Sequence, residues 1–104
     1  MQPDRVFTDG MMVSPYGRFR ADIGVRTGRI LYVGHAEIGE GCEVIPLGGN
    51  YVLPGPIDAH VHFQDPGITQ REDLEHGSAA AAMGGITTCI SHPLNVPPAV
   101  DVES

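Results

Sequence analysis

Between residues 5 and 53 the apolar positions fall in short runs, each closed by turn chemistry. Val6-Phe7 meets Asp9-Gly10, and Met11-Met12-Val13 meets Ser14-Pro15-Tyr16-Gly17. Ala21 to Arg26 runs into Thr27-Gly28, and Arg29 to Val33 follows. Val44-Ile45 and Tyr51-Val52-Leu53, split by Gly48-Gly49-Asn50, add two more candidate strands. Asp-Gly and Gly between apolar runs are hairpin signals. The pattern predicts a small antiparallel sheet, or half of a β-sandwich, over residues 1–53. It holds no catalytic grouping, and His35 after Gly34 reads as a solvated turn residue.

The pattern changes at Pro54. After Pro54-Gly55-Pro56 the chain alternates strictly, with Ile57, Ala59, Val61 and Phe63 on one parity and Asp58, His60, His62 and Gln64 on the other. A strand sends successive side chains to opposite faces, so one face is apolar and the other carries a carboxylate, two imidazoles and an amide. Histidines at i and i+2 have Cα atoms roughly 6.5 Å apart, which lets both rings lean toward one ion. Neutral imidazole is a common metal ligand, so the strand reads as half of a metal site.

Beyond the Asp65-Pro66-Gly67 turn, Thr69-Gln70-Arg71-Glu72 fits a capping box, with Thr69 as N-cap and Glu72 answering at N3. Glu72, Asp73 and Glu75 suit the positive end of a helix dipole. The predicted helix runs through Ala79-Ala80-Ala81-Ala82-Met83 and stops at Gly84-Gly85. Gly77 inside it suggests close packing on a strand, and His76 reads as a surface or packing residue. Ile86 to Ser91 is β-branched and apolar, hence a second strand, which leaves through the loop His92-Pro93-Leu94-Asn95-Val96-Pro97-Pro98. Strand, helix and strand within about 35 residues make a βαβ unit with parallel strands. Residues 54–104 are thus predicted to be a second region. A βαβ unit leaves sheet edges and a face open, so the chain reads as the opening of something larger.

Ligands of parallel α/β folds sit at the carboxyl ends of the strands. His60, His62 and Gln64 lie at that end of the first strand of the unit, and His92 and Asn95 at that end of the second. The net charge is −7, with 13 acids and 6 basic residues, all of them arginine. An acidic, lysine-free surface argues against nucleic acid or an anionic membrane as partner. Cys42 and Cys89 form no paired motif, Cys89 reading as a buried thiol, and no apolar run approaches the ~20 residues of a membrane helix. With no signal-peptide pattern at residues 1–5, a cytoplasmic protein is expected.

The segment Leu53-Pro54-Gly55-Pro56-Ile57-Asp58-Ala59-His60-Val61-His62 resembles the strand-one motif of the amidohydrolase superfamily. Phe63 to Gly67, Glu72-Asp73, Ala80 to Thr88 and Pro93 to Pro98 extend the resemblance to its cyclic-amidohydrolase branch of dihydroorotases, allantoinases and hydantoinases. Asp22 to Ile30 is similar to the small sheet these enzymes place before the barrel. The resemblance implies an α/β fold, the start of a metal-dependent (β/α)₈ TIM barrel preceded by a small sheet, holding one or two divalent ions, usually zinc. It implies that His60 and His62 bind the more buried ion and that a metal-activated hydroxide attacks a ring amide carbonyl. Asp58 would orient a ligand or fix the strand, and Asn95 matches a loop position that touches substrate. Gln64 stands where dihydroorotases typically carry an arginine for the substrate carboxylate. The Pro93-Leu94-Asn95 wording is more like that of allantoinases. His92 replaces a common methionine and is either a stray polar contact or an adventitious ligand. The family's bridging lysine, further histidines and late-strand aspartate are not among these residues, so no catalytic residue is expected within this segment. The implied partners are a small cyclic amide or ureide and further copies of the full-length protein. The alternatives are a non-catalytic amidohydrolase-like fragment or assembly partner, and a small metal-binding module using His60, His62 and His92.

Overall fold

The apolar runs at 6–7 and 11–13 belong to one strand. In the computed structural model, which describes residues 1–101, β1 spans Arg5–Ser14 and passes straight through Asp9-Gly10. The expected hairpin turn there is instead a bulge. Phe7 faces Ile23 and Gly10 faces Ala21 across β2 (Gly17–Arg26), so β1 carries one extra residue, with Asp9 at φ 55°. Asp22 holds the bulge: its Oδ1 accepts from Asp9 N at 2.9 Å and its Oδ2 from Ala36 N at 2.9 Å. A side-chain acceptor outside the ladder thus satisfies an amide that the bulge releases.

β2 turns at Thr27-Gly28 into β3 (Arg29–Gly34). Both turn residues have positive φ, 48° and 75°, the signature of a type I′ hairpin. Thr27 N donates to Asp4 Oδ2 at 2.8 Å, which offsets part of the cost of a β-branched residue there. The remaining strands depart from the antiparallel expectation. β4 (Glu43–Pro46) and β5 (Tyr51–Val52) both pair with β1 in parallel, so the sheet is mixed, in the order β3-β2-β1-β4 with β5 also on β1. Residues 35–42, with a turn closed by Cys42 N on Gly39 O, carry the chain from β3 to the far side of β1, where it arrives running with β1. The core lies over this central strand. Val6 and Met12 are buried, and Met12, Leu47 and Val52 crowd the place where Gly10 lacks a side chain.

The chain divides into two compact units, Met1–Leu53 and Pro54–Ser104. In the second, β6 (Ile57–Val61) pairs in parallel with β7 (Thr88–Ser91), and α1 (Leu74–Met83) connects them. The helix begins later than the capping-box pattern suggests. Its N-cap is Asp73, whose side chain accepts from His76 N at 2.7 Å. Thr69 cannot serve, because residues 64–72 close on themselves: Ile68 N donates to Gln64 O, Arg71 N to Ile68 O and Gln64 N to Glu72 O. The helix ends as the sequence pattern predicts. Ile86 N reaches Ala81 O and Gly85 N reaches Ala82 O, with Gly85 at φ 85°, a Schellman motif. Gly77 is the buried residue of α1, and a Cβ there would come within 2.7 Å of the Phe63 ring. The glycine lets the helix seat directly on the residue that follows His62.

Two stability predictions follow from this geometry. Gly67 sits at φ +119° with the backbone O of Val96 2.8 Å from where a Cβ would be, whereas Gly28, at φ +75°, faces open space. Gly67→Ala is expected to cost about 2 kcal/mol or more, and Gly28→Ala about 1 kcal/mol from backbone conformation alone. Urea unfolding of both variants checks this, and equal losses would show that the Val96 contact is slack. Second, the Asp22 carboxyl is held below its ordinary 3.8 by the Asp9 N–H, then by the Ala36 N–H, against partial desolvation. A depressed folded value contributes stability that is present above 3.8 and is lost as the pH falls through the lowered value. Asp22→Asn is therefore expected to unfold at lower urea than the parent at pH 7, with the gap closing as the pH falls below 3.8.

Candidate functional site

The Asp58-Ala59-His60-Val61-His62 stretch begins as a regular strand and then slips. Ile57 pairs with Thr88 and Asp58 with Cys89, but the next pair is Val61 with Ser91. β6 therefore carries one residue more than β7 between these pairs, and Ala59 and His60 are skipped by the ladder. Asp58 stabilises the irregularity by accepting His60 N on Oδ1 at 3.1 Å, an Asx-type contact. The carboxylate is exposed. The strand ends at Val61, so His62, Phe63 and Gln64 lie in the irregular segment that follows.

The two imidazoles meet. His60 Nε2 and His62 Nε2 are 3.0 Å apart, with ring centroids at 4.9 Å and planes at 72°. Two nitrogens bound to one tetrahedral zinc lie about 3.3 Å apart. The pair thus needs only a small opening to share an ion, and otherwise forms a hydrogen bond between opposite tautomers. His62 Nδ1 is buried with no hydrogen-bond partner among the described residues. A ring that binds through Nε2 carries its proton on Nδ1, where it needs an acceptor. The residues present therefore fit two positions of an imidazole-containing metal site. Among the described residues no group of three or more His, Cys, Asp or Glu side chains is arranged to hold an ion.

His92, the first residue after β7, joins the pair. Its ring stacks on that of His60 at 4.0 Å and 19°, and lies 5.6 Å from that of His62. Gln64 and Asn95 sit one step further along the two loops. Gln64 is half-buried, and its side-chain nitrogen donates to His62 O at 3.3 Å. Asn95 is buried, and its side-chain nitrogen donates to Phe63 O at 3.1 Å and to Asp65 O at 2.6 Å. It thus grips the backbone on both sides of Gln64, with Val96 N donating to Pro66 O beside it. This clamp had no signal in the sequence, where an asparagine between Leu94 and Val96 marks only a loop.

The other histidines lie apart from this cluster. His76 Nδ1 pairs with the Asp73 carboxylate at 2.8 Å on the exposed start of α1. Bonds from the His76 N–H and then from its ring hold the Asp73 carboxyl below its ordinary value. His35 is exposed, 3.9 Å from Asp22. Cys42 and Cys89 are free thiols, half-buried, so Cys89 is less enclosed than its apolar run suggests. No helix among the described residues is long and apolar enough to cross a membrane.

Comparison with known proteins places the chain in a family. The Amidohydrolase family matches residues 51–102, and the chain belongs to that family. A dihydroorotase of Methanothermobacter thermautotrophicus is 50% identical over 78 residues, covering 75% of this chain and 18% of that protein. An allantoinase of Bacillus licheniformis is 39% identical over 108 residues, covering 100% of this chain and 24% of that protein. Among solved structures, the L-hydantoinase of Arthrobacter aurescens superposes with a TM-score of 0.88 at 34% identity, over 99% of this chain and 23% of that one. All three belong to the cyclic-amidohydrolase branch, and the fold is that of the small sheet and first strand–helix–strand of a (β/α)₈ barrel. The chain spans 18% and 24% of the length of these two curated relatives.

Asn95→Ala removes both donors to the Phe63 and Asp65 carbonyls. It is expected to cost about 1–3 kcal/mol of stability in the absence of any substrate. Urea unfolding without substrate measures it, and an unchanged midpoint would leave the clamp without energetic weight.

Proposed function

We propose that this chain forms the opening part of a metal-dependent hydrolase of cyclic amides, of the allantoinase, hydantoinase or dihydroorotase type. Residues 1–53 are its sheet portion and residues 54–104 the first strand, helix and strand of its barrel. The observation that carries the reading is the convergence of His60 Nε2 and His62 Nε2 to 3.0 Å at the end of a parallel strand. In this reading those two atoms hold a divalent ion, zinc by ligand type, with further ligands from elsewhere in the complete protein. What such an ion supplies is Lewis acidity toward a ring carbonyl and water activated at neutral pH.

The chain's own residues then bind and orient. Asp58 keeps the His60 backbone in its slipped position through the His60 N–H. Gln64, its backbone bonded to Glu72 and Ile68, presents a neutral amide able both to donate to and to accept from a ring amide. A neutral amide cannot make the charge-assisted pair that a substrate carboxylate invites. Gln64 therefore favours an uncharged cyclic ureide or hydantoin ring over dihydroorotate. Asn95 acts on substrate through Gln64, because its amide hydrogens are engaged by backbone carbonyls. Two free thiols are in keeping with a reducing, cytoplasmic setting, and the complete protein is taken to assemble as a homo-oligomer.

The test is metal analysis of the complete protein together with hydrolysis of allantoin, hydantoin and dihydroorotate. Bound zinc and turnover of at least one ring are expected. His60→Ala and His62→Ala should each reduce zinc affinity by about 100-fold or more, beyond what loss of an outer contact produces. A protein without zinc and without turnover of all three rings would remove the proposal.

A further inference from the structure

His92 makes three contacts with three consecutive residues of the strand that carries the histidine pair. Its backbone N donates to Val61 O at 2.9 Å. Its ring stacks on the His60 ring at 4.0 Å with planes 19° apart. Its Nε2 lies 3.4 Å from Ala59 O. The last contact falls at the register slip. Ala59 and His60 lie between the Asp58–Cys89 and Val61–Ser91 pairs, where β6 carries one residue more than β7. The His92 ring, at the end of the neighbouring strand, reaches the Ala59 carbonyl there.

The same contact bears on the role of His92. A carbonyl only accepts, so a bond from His92 Nε2 to Ala59 O engages that nitrogen as a donor and leaves only Nδ1 with a lone pair. The ring lies face to face with His60, so His92 supports the His60 ring from the side while His62 meets its Nε2 edge. We infer that His92 is a positioning residue that fixes the His60 ring in the orientation facing His62, through its stacked ring and its bond to Ala59. The inference rests on the reading that His60 and His62 hold the ion. Its effect on ring order can nevertheless be measured without metal.

The experiment uses the complete protein, freed of metal, and its variants His92→Ala and His92→Phe. Nuclear Overhauser contacts between the His60 and His62 rings are recorded in metal-free protein, and Zn²⁺ is then titrated against the same ring signals. In the parent chain and in His92→Phe, which keeps a stacked ring, the contact between the two rings is expected to persist. In His92→Ala it should be lost, and Zn²⁺ affinity should fall by about 10–100-fold, the usual effect of removing a residue that orients a ligand. Should His92→Ala fold poorly by circular dichroism, His92→Gln makes the same comparison, because it removes the ring yet retains a donor for Ala59. An unchanged ring contact in the ring-less variants would overturn the inference, and so would direct Zn²⁺ coordination by His92. A parent chain with the ring contact intact but no Zn²⁺ response would instead count against the metal role of the pair, leaving the positioning result standing.

Discussion

Two parallel strands cannot be joined by a tight turn. The chain must cross over, and in doing so it brings both carboxyl ends to one side. The pairing of Ile57–Val61 with Thr88–Ser91 is therefore what makes a site out of residues 30 positions apart. Within that pairing the one-residue slip at Ala59 and His60 matters most. There the Asp58 carboxylate accepts the His60 N–H and the His92 ring lies against the Ala59 carbonyl. Side chains thus engage both groups of the Ala59–His60 peptide where the pairing slips, and bulges are common beside functional sites.

The loop that follows is held from a different direction. Gln64 has its own N–H and C=O bonded within the segment 64–72, and the carbonyls on either side of it are bonded to Asn95. Gly77 and Gly67 permit the two close approaches this requires, one to the Phe63 ring and one to the Val96 backbone. A segment without regular secondary structure is thereby given a fixed path. This is the usual means by which loops on a rigid frame hold binding residues.

The other unit repeats the logic in a sheet. An Asp-Gly pair is absorbed as a bulge because Asp22 offers an acceptor for Asp9 N. Two short strands then add in parallel to β1, the strand that contributes the buried Val6 and Met12. In both units an aspartate side chain accepts a backbone amide of the irregular strand.

Much of this was legible along the chain. Alternation from Ile57 to Val61, the Gly84-Gly85 stop and the Thr27-Gly28 turn act over a few residues, and local periodicity and positive-φ chemistry are written in the residues themselves. The two histidines on one parity, and the family motif around them, were legible for the same reason. The capping box at Thr69 misled because the bond from Gln64 N to Glu72 O, made outside any helix, draws that stretch into a loop and leaves Asp73 to cap. The Asp9-Gly10 hairpin signal and the antiparallel sheet gave way likewise, since both depend on which distant strand lies alongside β1. Register, the stacking of His92 on His60 and the grip of Asn95 were decided only by tertiary structure. Each is a contact between residues far apart in sequence, and no spacing along one strand encodes where its neighbour's end will fall.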